Sequence, residues 1–272
     1  MPGSIFELKA GRYIPTELAR GPWDPSALHG GTVAGLLASH VERAVPGRLV
    51  ARLTFEFLRP APTSALTVAA EVIREGRSVS WVKGRVSTRD KDVAEVTAVA
   101  LRRTRHDLPM LEGPATHRDG EAPPGPEFGS RAPDPPGADY PAFHNRGMEI
   151  RFVRGSLVSP GPALGWFRLA VPLIPGEVPS PLVRVATASD FSNGSSTVLS
   201  WHEFTFINPD LTIYLTRYPV GEWVCLDAVT QPGPDGTGVA ESHLHDQTGP
   251  IGTTLQSVLF NPLPDRLSET RR

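Results

Sequence analysis

The sequence contains an approximate internal duplication, which limits the folds open to the chain more than any other feature. In the first half, Leu28-His29-Gly30-Gly31 introduces an apolar helical stretch at residues 32–44. In the second half, Ala188-Ser189-Asp190-Phe191 introduces the corresponding segment, and the strand-like segments that follow end equally far along, at Leu101 and at Phe260. The two copies differ at this point, with a glycine pair in the first and an aspartate in the second. This difference indicates that one copy offers backbone N–H groups and the other a carboxylate.

Alternating apolar residues predict antiparallel strands around each helical segment. Residues 49–59 show the two-residue period of a half-buried strand, with one face formed by Ala51, Leu53, Phe55 and Phe57 and the other by Arg52, Thr54 and Glu56. Short turns separate the next segments, 66–74, 78–88 and 93–102, which is typical of a meander. The helix at 32–44 is apolar over too wide a surface to face solvent, so a curved sheet must enclose it.

The second half repeats this arrangement after a Pro- and Gly-rich interruption. The predicted strands lie at residues 148–157, 163–173, 205–216, 223–230, 239–244 and 251–259. The interruption, residues 105–140, cannot form a regular ladder and is interpreted as a linker. We therefore predict an N-terminal repeat at 1–104 and a C-terminal repeat at 141–272.

Composition and charge exclude several classes of partner. The apolar content of 39% and 26 glycines allow a packed core, and the net charge of −2 gives no cationic field for nucleic acid. No segment reaches the ~18 apolar residues of a membrane span, and the first residues do not resemble a signal peptide, so we expect a cytoplasmic protein without membrane contact.

The single cysteine, Cys225, is predicted to be a buried structural thiol.

Three motifs carry a family resemblance. Leu28-His29-Gly30-Gly31 with its helix, Phe55-Glu56-Phe57-Leu58-Arg59-Pro60 and Ala188-Ser189-Asp190-Phe191 resemble the acyl-CoA thioesterase II family, whose chains are two fused hotdog folds. The resemblance implies an α+β tandem (double) hotdog, with two curved antiparallel sheets each wrapped around a long helix. It also implies hydrolysis of acyl-CoA or carrier-bound thioesters, a role in lipid metabolism and no cofactor.

The resemblance further implies a catalytic trio. By motif, Asp190 is the family's aspartate, Thr212 in Asp210-Leu211-Thr212-Ile213-Tyr214 its hydroxyl residue, and Gln256 its amide residue. The chain departs from the family pattern where Tyr218 separates Arg217 from Pro219 and where Leu211 replaces a common histidine. We expect the three side chains to converge between the repeats.

The chemistry of the residue types is consistent with these roles. Among the three side chains only the aspartate can accept a proton near neutral pH, so Asp190 is the expected base, while Thr212 and Gln256 orient the water. The oxyanion donors are expected at Gly30 or Gly31, next to His29, because the first amides of a helix favour negative charge and glycine permits close approach.

Each of these residues also has a structural interpretation. Asp190 is a preferred residue type for a helix N-cap, and Gly30 and Gly31 are compatible with tight packing alone. Thr212 alternates with apolar neighbours as an ordinary strand residue does, and Gln256 on its own would be interpreted as facing solvent. His29 is interpreted as a structural hydrogen-bonding residue at the helix entrance.

Other functions remain open or are disfavoured. A non-hydrolytic acyl-thioester binding or tailoring protein of the same fold, and a dimerisation scaffold, remain alternatives. A hotdog dehydratase is disfavoured because Asp190-Phe191-Ser192-Asn193 lacks the expected proline and histidine. His243, His245 and Asp246 have no further ligand at metal-binding spacing, so no metal is expected. A homodimer is predicted because sheets of this kind commonly pair edge to edge.

Overall fold

A computed structural model describes residues 3–107, 122–131, 133–135 and 139–263. The predicted linker is thus described in part, and its residues 108–121, 132 and 136–138 lie outside the described residues. The described part packs against the second half of the chain: Trp166 Nε1 donates to the Pro124 carbonyl over 2.7 Å, and Ser130 forms an isolated bridge with Phe152.

In the first half, antiparallel strands cover one helix. Helix α1 (Gly30–Ala44) begins two residues before the predicted start, and most of its residues are buried, which confirms that it is enclosed. The strands of this half are β1 (Phe6–Lys9), β2 (Arg12–Pro15), β3 (Leu49–Phe57), β4 (Thr67–Glu75), β5 (Val79–Ser87) and β6 (Asp92–Leu101). The four strands predicted for this half correspond to β3–β6 and are confirmed to within two residues, whereas β1 and β2 were not predicted.

The described residues of the second half form seven strands and two shorter helices. The strands are β7 (Met148–Arg154), β8 (Ala163–Leu169), β9 (Phe204–Ile207), β10 (Asp210–Leu215), β11 (Val224–Pro232), β12 (Thr237–Asp246) and β13 (Gly249–Pro262). The helices are α2 (Pro181–Ser189) and α3 (Ser192–Ser195).

The single strand predicted at residues 205–216 is wrong, because the segment forms both β9 and β10. Asn208 and Pro209 separate them, and Pro209 has no N–H to donate to a ladder. Its carbonyl accepts from Phe57 N over 2.8 Å instead. As a result β9 pairs only with β13, whereas β10 pairs with both β13 and β3.

Asp190 was expected to open the second helix, and this expectation is also wrong. Ser180 caps the N-terminus of α2, its Oγ accepting from Val183 N over 3.2 Å, and Pro181 occupies the first turn, where a missing N–H costs nothing. Asp190 instead follows Ser189 at the C-terminal end, as the C-cap residue. The N-cap interpretation of Asp190 is therefore excluded as well.

Strands β1 and β2 pair with each other as a separate two-stranded sheet, and the other described strands of both halves form one antiparallel sheet. The order is β4-β5-β6-β3-β10-β13-β12-β11-β8-β7, with β9 added beside β13. Strands β3 and β10 join the two repeats, with Thr54 opposite Thr212 and Leu53 opposite Ile213. Helix α1 packs against β3–β6 and α2 packs against β8, β10 and β11. Cys225 in β11 is fully buried, which confirms the prediction for this thiol.

The two helices meet through glycines. A Cβ on Gly31 would lie 2.6 Å from the Thr187 carbonyl oxygen, and a Cβ on Gly35 would lie 2.5 Å from Thr187 Cγ2. Both distances are shorter than van der Waals contact allows, so side chains at these positions would push α1 and α2 apart. The glycines thereby bring the start of α1 close to the end of α2.

Candidate active site

The carboxylate of Asp190 is enclosed by groups from both halves of the chain. His29 Nδ1 lies 2.9 Å from Oδ2, and Asn208 Nδ2 donates to Oδ1 over 2.8 Å. A Cβ on Gly30 would lie 2.8 Å from Oδ2, so only glycine lets the carboxylate come this close to the start of α1. The positive end of the helix dipole therefore faces a buried negative charge.

These contacts keep Asp190 ionised. Burial by itself would raise the pKa of the carboxyl, because a charged form is costly to desolvate. The hydrogen bond and charge interaction with His29, followed by the bonds from Asn208 and from the Gly31 N–H, outweigh burial and hold the pKa of Asp190 below its usual range. The group is thus an anion throughout the neutral pH range.

The ring of His29 has a defined tautomer when Asp190 is charged. Nδ1 lies 3.0 Å from Gly31 N and 2.9 Å from Asp190 Oδ2, but one nitrogen cannot accept from the amide and donate to the carboxylate at once. Because the Asp190 carboxylate is charged, the hydrogen on Nδ1 must point at Oδ2. The Gly31 N–H then also donates to the carboxylate. Nε2 makes no hydrogen bond with the described residues. His29 lines the pocket between the two repeats, which we call the main pocket.

Gln256 is held beside Asp190 on the inner face of β13. Its Oε1 accepts from Asn193 N over 3.0 Å, and its Nε2 lies 3.5 Å from both Oδ1 and the backbone oxygen of Asp190. The side chain is 1% exposed, so its interpretation as a solvent-facing residue is wrong. The structure brings Asp190 and Gln256 together as expected.

Thr212 does not join them. It pairs with Leu255 across β10 and β13, and paired residues in an antiparallel ladder share a face. Gln256 is the next residue after Leu255, so its side chain points to the opposite face of the sheet. The Thr212 hydroxyl instead lies 3.4 Å from Thr54 Oγ1. The expected convergence of three side chains is therefore wrong for Thr212.

Asn208, rather than Thr212, supplies the second polar side chain beside the Asp190 carboxylate. It lies between β9 and β10, and it bonds the carboxylate more closely than Gln256 does. The sequence reasoning missed this residue, because Asn208-Pro209 follows the pattern of a turn. Its only sequence signal is a polar side chain in the break that Pro209 imposes between two strands.

The two glycines also differ in position. Gly30 lines the main pocket, whereas Gly31 is buried, and its N–H faces the His29–Asp190 pair. The packing interpretation therefore fits Gly31, whereas Gly30 is the glycine that a molecule in the pocket could contact.

The pocket beside Asp190 has a volume of about 550 Å³ and lies between the repeats. Its walls are mainly apolar, as in many small-molecule sites. At its rim Trp23 of the first half stacks on Trp201 of the second with ring centroids 4.5 Å apart. The first half contributes Leu28, His29, Gly30, Val33 and Phe57, and the second half contributes Asp190, Phe191, Asn193, Phe206 and Asn208.

The described part of the chain offers neither a membrane-spanning helix nor a cluster of metal ligands. No helix there combines the length and apolar character needed to cross a bilayer. Within the same residues, no group of three or more His, Cys, Asp or Glu side chains could hold a metal ion.

Known proteins resemble the chain in family and in fold. Residues 19–103 match the model of the acyl-CoA thioesterase N-terminal domain, and residues 121–260, more than half of the chain, match that of the acyl-CoA thioesterase C-terminal domain. None of the curated proteins matches.

Solved structures share the fold at low identity. A putative thioesterase II from Thermobifida fusca is 18% identical with a TM-score of 0.70, covering 95% of this chain and 96% of that one. A hot dog fold protein of unknown function from Alicyclobacillus acidocaldarius is 17% identical with a TM-score of 0.69, covering 94% and 95%. The tesB protein of Mycobacterium avium subspecies paratuberculosis is 19% identical with a TM-score of 0.64, covering 92% and 93%. By family and fold, the chain belongs to the acyl-CoA thioesterases and is a thioesterase built as a double hotdog.

Proposed function

We propose that the chain hydrolyses acyl-CoA thioesters by attack of a water molecule that Asp190 activates. The observation that carries this proposal is a buried carboxylate, paired with His29 and hydrogen-bonded by Asn208, in the wall of an apolar pocket between the repeats. An apolar pocket suits an acyl chain, and a carboxylate in its wall can accept a proton from water.

The reaction balances without a cofactor. Asp190 takes one proton from the water molecule while the oxygen of that water forms a bond to the thioester carbonyl carbon. The carbon–sulfur bond of the tetrahedral intermediate then breaks, and the proton passes to the leaving thiolate. The products are a carboxylic acid and free CoA.

The oxyanion of the intermediate needs a donor that is not already occupied. Gly31 is unsuitable because its N–H faces the His29–Asp190 pair. Gly30 lines the pocket, and its N–H is among the first amides of α1, which have no carbonyl partner inside the helix. We therefore assign the oxyanion to the Gly30 N–H rather than to Gly31.

His29 is a second candidate for the proton acceptor. The 2.9 Å contact between Nδ1 and Asp190 Oδ2 is the arrangement in which a carboxylate orients an imidazole and stabilises its protonated form. Nε2 would then take the proton from water. In either case Asn208 and Gln256 orient the carboxylate, and Thr212 has no part in the reaction.

Asp190→Asn tests the proposal, with Asp235→Asn in the exposed β11–β12 turn as the matched control. We expect thiol release from a panel of acyl-CoAs to fall ~10²–10⁴-fold in Asp190→Asn and to stay unchanged in the control. An active Asp190→Asn enzyme with normal folding would refute the role of this residue.

The pH profile of kcat/KM separates the two acceptors. If Asp190 is the base, activity falls only in acid, below the usual aspartate range, because the pKa of Asp190 is lowered. If His29 is the base, its substitution abolishes activity at every pH. His29→Gln removes the second possibility while keeping a donor toward Asp190.

The remaining functional expectations stay predictions. Carrier-bound thioesters are an alternative substrate, and hydrolysis of both kinds with purified protein would rank them. The homodimer, the cytoplasmic location and the role in lipid metabolism rest on the sequence alone. Light scattering after gel filtration tests the first of these.

A further inference from the structure

His144 is a polar side chain that nothing in the described part of the protein satisfies. It lies in the π-type turn Phe143–Gly147, which leads into β7, and the residue is 5% exposed. Neither ring nitrogen has a hydrogen-bond partner among the described residues. A buried polar group without a partner lowers stability, and π-type turns are frequent at functional sites. A ligand is one way to satisfy such a group.

The side chain is also in the right place to meet a ligand. His144 lines the pocket that contains Asp190, and it lines a second cavity of about 500 Å³ beside β7. Leu157 lines both as well, so these two side chains lie at the boundary between the cavities. A thioester bound in the first pocket therefore passes within reach of the imidazole.

The charge state of the ring limits what it can bind. Burial, with a smaller contribution from nearby His29, lowers the pKa of His144 to about 3. The imidazole is therefore neutral near pH 7 and presents one N–H donor and one nitrogen acceptor. This combination suits an uncharged amide or hydroxyl, whereas a phosphate or carboxylate would call for a cation.

We propose that His144 is a substrate-binding residue that hydrogen-bonds an uncharged amide or hydroxyl group of the bound thioester. The proposal rests on the proposed thioesterase function of the same pocket. An acyl-CoA offers amides in its pantetheine arm, and a hydroxylated acyl chain offers a hydroxyl on the other side of the thioester. His144 positions the substrate through one of these groups and takes no part in proton transfer.

Two variants of His144 separate a binding role from a structural one. His144→Phe keeps a flat ring but loses both nitrogens, and His144→Gln keeps a donor and an acceptor. We expect His144→Phe to melt at the same temperature as the wild type or higher, because an unsatisfied polar group is removed. Its KM should rise about tenfold with a smaller change in kcat, and His144→Gln should recover part of the loss. His243→Phe, on β12 away from both cavities, is the control.

A panel of substrates identifies the group that is bound. If His144 binds the amide, the His144→Phe penalty is present with the hexanoyl thioester of N-acetylcysteamine and absent with S-ethyl hexanethioate, which has no amide. If it binds a hydroxyl, the penalty appears with 3-hydroxyhexanoyl-CoA and is absent with hexanoyl-CoA. A penalty of equal size on all four substrates, or on none, overturns the proposal.

Binding without turnover keeps this test apart from the proposed function. Calorimetry with S-hexyl-CoA and its 3-hydroxyhexyl analogue, which cannot be hydrolysed, measures affinity directly. Tenfold weaker binding by His144→Phe of at least one analogue supports the proposal even if the wild type hydrolyses no thioester. Equal affinities in an enzyme that does hydrolyse acyl-CoA would overturn this proposal alone.

Discussion

At the scale of single residues, the basicity of Asp190 depends on Asn208. The 2.8 Å bond from Asn208 Nδ2 stabilises the charged carboxylate, so Asn208→Ala should raise the pKa of Asp190. With Asp190 as the base, the acid limb of the kcat/KM profile then moves to higher pH. Asn261→Ala, at the exposed end of β13, should leave the profile unchanged. An unmoved limb in Asn208→Ala contradicts a direct role for Asp190 as base.

Thr212 gives the opposite prediction. Its hydroxyl lies on the outer face of the sheet, 3.4 Å from that of Thr54, and valine has nearly the same shape. Thr212→Val should therefore keep kcat/KM within about twofold of the wild type, because no group in the pocket is lost. Gln256→Leu, one residue beyond the strand partner of Thr212, should lose about tenfold or more because it removes a buried amide beside Asp190. A large loss in Thr212→Val would return this hydroxyl to the mechanism.

Strand alternation argued against Thr212 and gave no information about Gln256, so the expectation for both residues rested on the family resemblance. Leu211 and Ile213 are both apolar, which already places Thr212 on the outer face once the strand is half-buried. The neighbours of Gln256 mix apolar and polar residues on both faces, so the pattern does not say which side is buried. Asn208 carries no periodic signal because it lies outside both strands, and only the fold brings it to the carboxylate.

At the scale of elements, the contact between α1 and α2 depends on the absence of side chains. A Cβ on Gly35 would meet Thr187 Cγ2 at 2.5 Å, and the Thr187 hydroxyl is fixed by bonds to the Val183 and Arg184 carbonyls. Gly35→Ala should therefore destabilise the fold by about 1–3 kcal/mol in urea denaturation.

A second substitution checks the cause of that loss. Thr187→Ser removes Cγ2 and keeps the hydroxyl, so the double variant should recover most of the stability lost in Gly35→Ala. Gly194→Ala in α3, where a Cβ would contact nothing within 4 Å, is the matched glycine control. If Thr187→Ser does not rescue Gly35→Ala, the clash does not cause the destabilisation.

Tyr218, the residue that departs from the family pattern between Arg217 and Pro219, supplies a hydrogen-bond acceptor to strand β3. Its hydroxyl accepts from Val50 N over 3.0 Å, at the point where the pairing of β3 with β6 shifts between Val50 and Arg52. A bulge leaves a backbone N–H without a ladder partner, and this side chain from the second half supplies one. Periodicity predicted both strands but placed Ala51 on the buried face, whereas the bulge buries Val50 and leaves two residues between it and Leu53.

At the scale of the whole molecule, the two repeats share one sheet and one set of helix contacts. Besides the β3–β10 pairing, the N-terminal segment joins the second half through bonds from Ile5 N to Pro172 O and from Phe6 N to Leu173 O, both 2.9 Å. The duplication predicted two repeats, and most of their strands could be predicted from alternation, although β1 and β2 were missed and β9 and β10 were taken as one strand. The pairing between repeats could not, because residues such as Thr54 and Thr212 are far apart in sequence and carry no local mark of each other.

This continuity makes a covalent link between the halves dispensable once the protein has folded. A protease site inserted after Asp107 and cleaved in the folded protein should give two fragments that elute together in gel filtration and keep most of the thioesterase activity. Asp190 and His29 would stay paired although they then belong to different chains, because backbone hydrogen bonds and the buried α1–α2 contact hold the halves. Uncut protein with the same insertion is the control. Fragments that separate without denaturant would mean that the repeats are independent domains and that the β3–β10 pairing adds little to the fold.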